Sequence, residues 1–318
     1  MSIIQKTKRN PRHSFGRIAA AALALTLTVS GCAAEDPDKV GQSTPTSSAA
    51  VPKQKQDDKL RAKLPQDVQT SGKLVAVNSG SFPPYQIIQT GADPQGAAAD
   101  LLTALGELWG IQIEHQTVDG FSSILTGLSA DRYQLGFGPV GDFKSRQAQN
   151  DFIDYVQEFV VFAVEKGNPK GINDLDSACG ARISVQAGGS AEKVVKEQSG
   201  KCEAADKPAI EVQSYKDQPQ SILAVQSGRA DAFFSSQAPL TYFVQESGGK
   251  LELAGVGKGN GFSDLYQGAV VKKDSPLGDV LIESLDVLFK NGTYDAIMKK
   301  WGLEANKIDK PGKNLANN

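Results

Sequence analysis

The chain has 318 residues, of which 40% are hydrophobic, 7% aromatic and 22% charged, with 32 glycines and 15 prolines. This is a globular composition, long enough for two domains around a sizeable core, and it excludes a collagen-like, coiled-coil or wholly disordered protein. The first 31 residues hold five bases and no acid, so the net charge of −2 for the whole becomes −7 for the remainder, a balance that argues against a nucleic-acid partner.

At the start, Lys6, Lys8, Arg9, Arg12 and Arg17 precede an apolar run from Ile18 to Val29, closed by Val29-Ser30-Gly31-Cys32. Basic stretch, apolar run and small-residue exit predict a signal peptide over residues 1–31. The run is too short for a permanent span, which needs about 20 residues. The four residues ending at Cys32 resemble the bacterial lipobox, which implies an acylated Cys32 as the mature N-terminus and a lipid anchor on the extracytoplasmic face of the cell membrane. Residues 32–70 carry no aromatic residue and few branched aliphatics, so a flexible tether is expected there, reaching on the order of 30 Å. With Cys32 lipidated, Cys179 and Cys202 remain as one pair, and outside the cytoplasm a disulfide between them is expected. The alternative is two separate buried thiols. No Cys/His spacing suits a metal, so neither a metal site nor a cofactor is expected.

From Gly72 onward short strands alternate with amphipathic helices. Strands are predicted at Lys73–Val77, around Ile111–His115 and at Leu135–Phe137, with helices over Gly96–Trp109 and Phe121–Leu128 between them. A second series follows: strands at Ala181–Val185, Ile210–Val212 and Asp231–Phe234, with helices opening at Ser190 and running through Ile222–Gln226. This order predicts an α/β protein of two lobes with mainly parallel sheets. Lobe 1 is expected over residues 71–162 plus 267–305, lobe 2 over 163–266, and a disordered tail over 306–318. Ile124-Leu125 to Ser129 before Leu135-Gly136-Phe137 is echoed by Ile222-Leu223 to Ser227 before Ala232-Phe233-Phe234, which supports two similar lobes.

Enzyme motifs are sparse. His13 leaves with the signal peptide, and His115 sits in an alternating strand beside Glu114, so a nucleophile–histidine arrangement has little to draw on. The glycines around Lys258 lack the P-loop order and read as a mobile surface loop. Ligands of open α/β sheets sit beyond the carboxyl ends of the strands, and there the sequence places groups suited to an anion. Asn78-Ser79-Gly80-Ser81-Phe82 offers an aromatic wall at Phe82. Gly138-Pro139-Val140-Gly141-Asp142 leads into a helix that Asp142 is expected to cap, with Arg146 one turn on as a planar fork for a carboxylate. Gly188-Gly189-Ser190 joins strand to helix with backbone donors and a hydroxyl.

The order of these pieces resembles the extracellular solute-binding proteins of polar amino acid ABC transporters, family 3. The resemblance spans about Gly72 to Leu303 and includes Phe82-Pro83-Pro84-Tyr85, the Arg146 helix, Gly188-Gly189-Ser190, Gly228-Arg229-Ala230-Asp231-Ala232 and Gly292-Thr293-Tyr294. It implies a periplasmic-binding-protein fold whose lobes, joined by a two-strand hinge, close on a small-molecule ligand and dock, as a monomer, on an ABC permease driven by an ATPase. It also implies that Arg146 binds the ligand carboxylate, assisted by Gly189 and Ser190, with Phe82 stacking and with Ser79, Gly138, Gly141 and Ser236 lining the site. Two departures stand out. Ser236 occupies the place where relatives that bind α-amino acids carry an aspartate for the ammonium, and Ser79 the place where binders of cationic or amide side chains tend to have one. The expected ligand is therefore a small carboxylate-bearing solute, either without the usual ammonium or with its charge met by Asp142 or Glu158. A cyclohexadienyl-dehydratase-like enzyme and a sensing or adhesion lipoprotein are the alternatives on the same fold.

Overall fold

The protein is described by a computed structural model over residues 50–317. The signal segment, Cys32 and the tether to residue 49 lie outside the described residues. In chain order come α1 (Asp58–Arg61), α2 (Gln66–Ser71), β1 (Lys73–Asn78), α3 (Ala97–Trp109), β2 (Gln112–Thr117), α4 (Ser122–Ser129), β3 (Leu135–Gly141), α5 (Lys144–Gln147), β4 (Asn150–Glu158) and β5 (Val160–Glu165). They are followed by β6 (Arg182–Gln186), α6 (Ser190–Ala204), β7 (Glu211–Tyr215), α7 (Gln218–Gln226), β8 (Ala232–Ser236), α8 (Gln237–Glu246), β9 (Leu251–Ala254), β10 (Leu265–Lys272), α9 (Pro276–Lys290), α10 (Thr293–Lys300) and β11 (Lys307–Lys313).

The strands form a six-stranded sheet, β11-β4-β10-β3-β1-β2, and a five-stranded sheet, β7-β6-β8-β5-β9, within one compact unit. Each sheet is the floor of one lobe. The sheets are mixed rather than mainly parallel. β1 runs parallel to β2 and β3, and β6 to β7 and β8, whereas β10, β4 and β11 in one lobe, and β5 and β9 in the other, pair antiparallel. β4, β5, β9 and β10 flank the two crossings, and β11 is added at the edge beyond β4. The orders β2-β1-β3 and β7-β6-β8 are the same winding, so the echoed helix–turn–strand segments, α4-β3 and α7-β8, occupy equivalent places.

The chain passes from lobe 1 to lobe 2 at Phe159, between β4 and β5, and returns between β9 and β10. In lobe 1 the leucines at helical spacing, Leu101, Leu102, Leu105 and Leu108, and Trp109 at the end of α3 bury one face of that helix in a core with Tyr155 and Tyr294. Gly110 in the left-handed conformation stops α3. In lobe 2, Phe162 and Phe234 meet at 4.6 Å between ring centres under α6, while Phe233 packs on the other face with Leu240. Cys179 and Cys202 form a disulfide with a Cα–Cα distance of 5.7 Å, tying the turn before β6 to the end of α6.

Two expectations need correction. The tether does not continue to residue 70, because Leu60, Leu64 and Val68 of α1, α2 and the turn between them are buried in the lobe 1 core. Before α1, Gln54 is pinned to lobe 1: its N donates to Glu107 Oε2 at 2.8 Å, its Nε2 to Thr293 Oγ1 at 2.9 Å, and Asn291 Nδ2 donates to its Oε1 at 2.8 Å. Three well-spaced apolar residues suffice once a groove between α3 and α9 receives them. The tail is not disordered either, since β11 pairs antiparallel with β4 and Ala316 is fully buried.

Candidate functional site

A cleft lies between the lobes, bordered by the ends of β1 and β3 and the Arg146 turn on one side and by the start of α6 and the end of β8 on the other. Ser79, Phe82, Gly138, Gly141, Arg146, Gly189, Ser190 and Ser236 all line it. Arg146 is the single charged residue in that lining among the described residues.

The geometry around Arg146 follows from the end of β3. The carbonyl of Gly141 accepts from Arg146 Nη1 at 2.9 Å. A side chain at 141 would put its Cβ 2.8 Å from the Phe143 ring and 3.5 Å from Nη1. Glycine is therefore required for this close approach. The guanidinium carbon stands 4.9 Å from the Phe121 ring centre and 5.0 Å from that of Phe143, an arrangement of two cation–π contacts. Across the cleft, Nη2 donates to the carbonyl of Gly188 at 3.4 Å. Burial lowers the Arg146 pKa to about 10, with nearby Asp142 acting in the opposite direction, so the side chain stays a cation at neutral pH. No acid forms an ion pair with it among the described residues, and a planar fork with unused donors faces a cleft without a carboxylate.

Lobe 2 meets this group with the start of α6. Gly188 adopts φ 73°, and a Cβ there would sit 2.3 Å from Ser122 Oγ of lobe 1, so the turn passes close under α4. Its N donates to Glu192 Oε2 at 2.7 Å, which fixes the turn. Ser190 and Ala191 are the first two residues of α6, whose first-turn N–H groups have no acceptor within the helix. Deeper in the cleft stand neutral dipoles. Gln218 Nε2 donates to Gln186 Oε1 at 2.9 Å and its Oε1 accepts from Ser235 at 3.0 Å. Gln267 Nε2 donates to Ser236 Oγ at 3.3 Å, leaving Gln267 Oε1 buried without a partner. Asn78 Oδ1 accepts from Gly80 N and Thr117 Oγ1, both at 3.0 Å, which leaves Asn78 Nδ2 as a buried donor without a partner. Outside the cleft floor, Lys216 of lobe 2 pairs with Asp119 of lobe 1.

Three local expectations are corrected. Asp142 does not cap α5. Phe143 holds the N-cap position without a side-chain bond, and Asp142 instead accepts from Gln147 at 2.8 Å and from Ala316 N at 2.9 Å. Neither Asp142 nor Glu158 lines the cleft. Glu158 is buried at the crossing, where it accepts from Tyr85 OH at 2.5 Å and from the backbone N–H groups of Phe159, Gln237 and Ala238. Burial raises it to about 7 against those hydrogen bonds. The glycine-rich loop is a surface loop at Val256–Gly259 but is pinned at its end: Asn260 Nδ2 donates to Val160 O at 2.7 Å and to Gly255 O at 2.8 Å, and Phe262 reaches the cleft 6.2 Å from Phe143. Sequence reasoning missed Phe121, Phe262, Gln218 and Gln267 as cleft residues, and Phe143 as a ring beside Arg146. The signal available for Phe121 was an aromatic residue directly after Gly120, beyond the end of β2.

The family profile of the bacterial extracellular solute-binding proteins, family 3, matches residues 74–304, and the chain belongs to that family. It is 28% identical over 255 residues to the arginine-binding protein ArgT of Corynebacterium glutamicum, covering 79% of this chain and 81% of that protein. To the arginine-binding extracellular protein ArtP of Bacillus subtilis it is 27% identical over 233 residues, 72% of this chain and 86% of that protein. Among solved structures, an ancestral arginine-binding protein bound to arginine superposes with a TM-score of 0.64 at 26% identity, over 72% of this chain and 98% of that one. The two mixed α/β sheets are accordingly the two lobes of a periplasmic-binding-protein fold, and the chain is a solute-binding protein of the amino acid ABC transporter class.

Proposed function

We propose that this protein is a lipid-anchored, extracytoplasmic receptor that captures a small carboxylate-bearing solute by hinge closure and delivers it to an ABC permease and its ATPase. The observation that carries the reading is Arg146, the sole charged group of the cleft lining among the described residues, held between two rings with no acid paired to it. A desolvated cation in such a site is stabilised by an anion that accepts its planar fork. On closure, Arg146 of lobe 1 takes the carboxylate, and the backbone N–H groups at Gly189 and Ser190 with the Ser190 hydroxyl complete the clamp from lobe 2. Phe82 and Phe262 supply apolar walls, and Ser79, Gly138, Gly141 and Ser236 border the solute.

The curated relatives are named for arginine, yet a second guanidinium here would meet no carboxylate in the lining. An unpaired buried charge is costly. The solute preferred by this cleft therefore carries a carboxylate and no net positive charge. Among the described residues the cleft lining likewise holds no histidine or cysteine, which gives a dehydratase reading no cleft group for its proton transfers there. Lipid anchoring rests on Cys32 in its Val-Ser-Gly-Cys setting, where acyl chains contribute about 0.8 kcal/mol per buried CH₂. A thermal-shift screen of amino acids and small carboxylates tests the ligand class. Stabilisation by neutral or anionic carboxylates supports it, and stabilisation by arginine alone overturns it. Full membrane retention and normal cleavage of Cys32→Ser would refute the anchor.

A further inference from the structure

Behind the Arg146 turn, Asp142 and Asp154 are both fully buried and form no ion pair among the described residues. Each receives a backbone N–H from one short segment: Ala316 N donates to Asp142 Oδ2 at 2.9 Å and Leu315 N to Asp154 Oδ2 at 3.0 Å. That segment is locked onto β4. Asn314 N donates to Phe152 O, Asn314 Oδ1 accepts from Phe152 N, and Asn314 Nδ2 donates to Asp151 Oδ1, each at 2.9 Å. It is also locked onto α5, because Gln147 Nε2 donates to Asp142 Oδ1 at 2.8 Å and to Ala316 O at 3.1 Å. Arg146 therefore lies between two fixed points, Gly141–Asp142 on one side and Gln147 on the other.

One polar atom of this cluster is left over. Asp154 Oδ1 is buried without a partner. Two neighbouring ionised carboxylates in a desolvated site repel, whereas one proton on Asp154 Oδ1, donated to Asp142, satisfies the orphan atom and removes a charge. Burial and the adjacent Asp142 raise Asp154 to about 8. The other ionisable groups around the cluster are accounted for. On β4, Asp151 pairs with Lys273 of β10 at 2.7 Å and lies 3.9 Å from Lys313 of β11. Lys313 also pairs with Asp279 of α9, Arg146 of α5 faces the cleft, and burial keeps Tyr155 neutral.

We propose that residues 314–316 are a strap that positions Arg146 for its solute, acting through an Asp142–Asp154 carboxyl pair that shares one proton. The proposal rests on Arg146 being the solute clamp. Asp142, Asp154 and Gln147 are positioning residues and do not touch the solute. Loss of the shared proton at alkaline pH places two charges side by side, and their repulsion drives Asp142 and Asp154 apart and loosens the turn that carries Arg146.

The test uses the described protein without any solute. Phenylglyoxal modification of Arg146 is followed by peptide mass spectrometry, with exposed Arg132 as the standard in the same sample. In a chain stopped after Lys313, Arg146 should react about tenfold faster relative to Arg132, the shift expected for losing one buried hydrogen bond to a charged group. In the intact chain the same ratio should rise between about pH 7 and pH 9 as the shared proton leaves. Asp154→Asn, whose amide donates to Asp142 as the acid does, should keep the slow rate and lose the rise. An unchanged Arg146 ratio in a folded truncated chain overturns the strap, and a pH rise that survives Asp154→Asn overturns the proton pair. A truncated chain that speeds every arginine equally reports general loosening and also counts against it; should that chain fail to fold, the pH profiles of the intact and Asp154→Asn proteins decide. Because no solute is present, failure here is separate from failure of the ligand reading, which the thermal-shift screen decides.

Discussion

The two lobes furnish the cleft with different chemistry. Lobe 1 brings the charge, Arg146, and its aromatic setting of Phe121 and Phe143, while lobe 2 brings neutral groups, Gln186, Ser190, Gln218, Ser235 and Ser236. A charge attracts over a distance and a neutral dipole acts only in contact. In the proposed mechanism lobe 1 therefore takes hold of the solute first, and lobe 2 discriminates as it closes.

The strongest way to break this division is to remove the charge. Losing one partner of a desolvated ion pair costs about 2 to 5 kcal/mol, so Arg146→Ala should weaken binding by about 30-fold to several thousand-fold, as read by calorimetry with whichever solute the screen finds. Arg146→Lys should recover part of the loss, because a point charge does not reproduce the planar fork. Unchanged affinity in a folded Arg146→Ala protein removes lobe 1 from its role.

A second change acts on lobe 2 without touching its cleft face. The Cys179–Cys202 bond closes a loop with a sequence separation of 23 and lies at the far end of α6 from Ser190. Reduction should lower stability by roughly 3 kcal/mol, seen as a fall in melting temperature, while affinity holds. Loss of binding on reduction would mean that the disulfide positions the Gly189–Ser190 turn.

The crossing between the lobes supplies a pH-dependent contrast. Glu158 is raised to about 7 by burial. A carboxyl that holds its proton more tightly when folded favours the folded state below the unfolded pKa, and that contribution is lost as pH rises through the folded value. Stability should therefore decline between about pH 4.5 and pH 7 by roughly 3 kcal/mol from this group, and Glu158→Gln should flatten the decline in a series of thermal melts. A Glu158→Gln protein that melts lower than the parent at pH 8 would show the ionised carboxylate to be the stabilising form. The smallest effect belongs to a neutral contact of lobe 2: Ser236→Ala should cost about 1 kcal/mol or less of binding free energy. A larger loss would put the main recognition in lobe 2.

How much of this was legible in the sequence depended on whether the signal was local. Helices such as α3, with leucines at helical spacing and Gly110 to stop it, and the turns at Gly138–Gly141 and Gly188–Ser190 are written in consecutive residues, and the eight site positions, named from such turns and from the family resemblance together, line one cleft. The rings beside Arg146 were hidden because Phe121 belongs to a different helix, and only the packing of α4 against β3 brings it there. The end of the chain was hidden for another reason. Residues 306–318 offer few apolar side chains, and what holds them is backbone N–H donated to Asp142 and Asp154, which composition does not record.

Gln54 adds a mechanical consequence. It bridges Glu107, Asn291 and Thr293, all on lobe 1 elements or the turn between α9 and α10. A pull applied to the chain ahead of Ala50 enters through that lobe alone, and its load path bypasses Phe159 and the return strand. In the proposed lipid-anchored mechanism, tension from the anchor would therefore do no work against closure, because it holds one lobe and leaves the swing of the other unloaded.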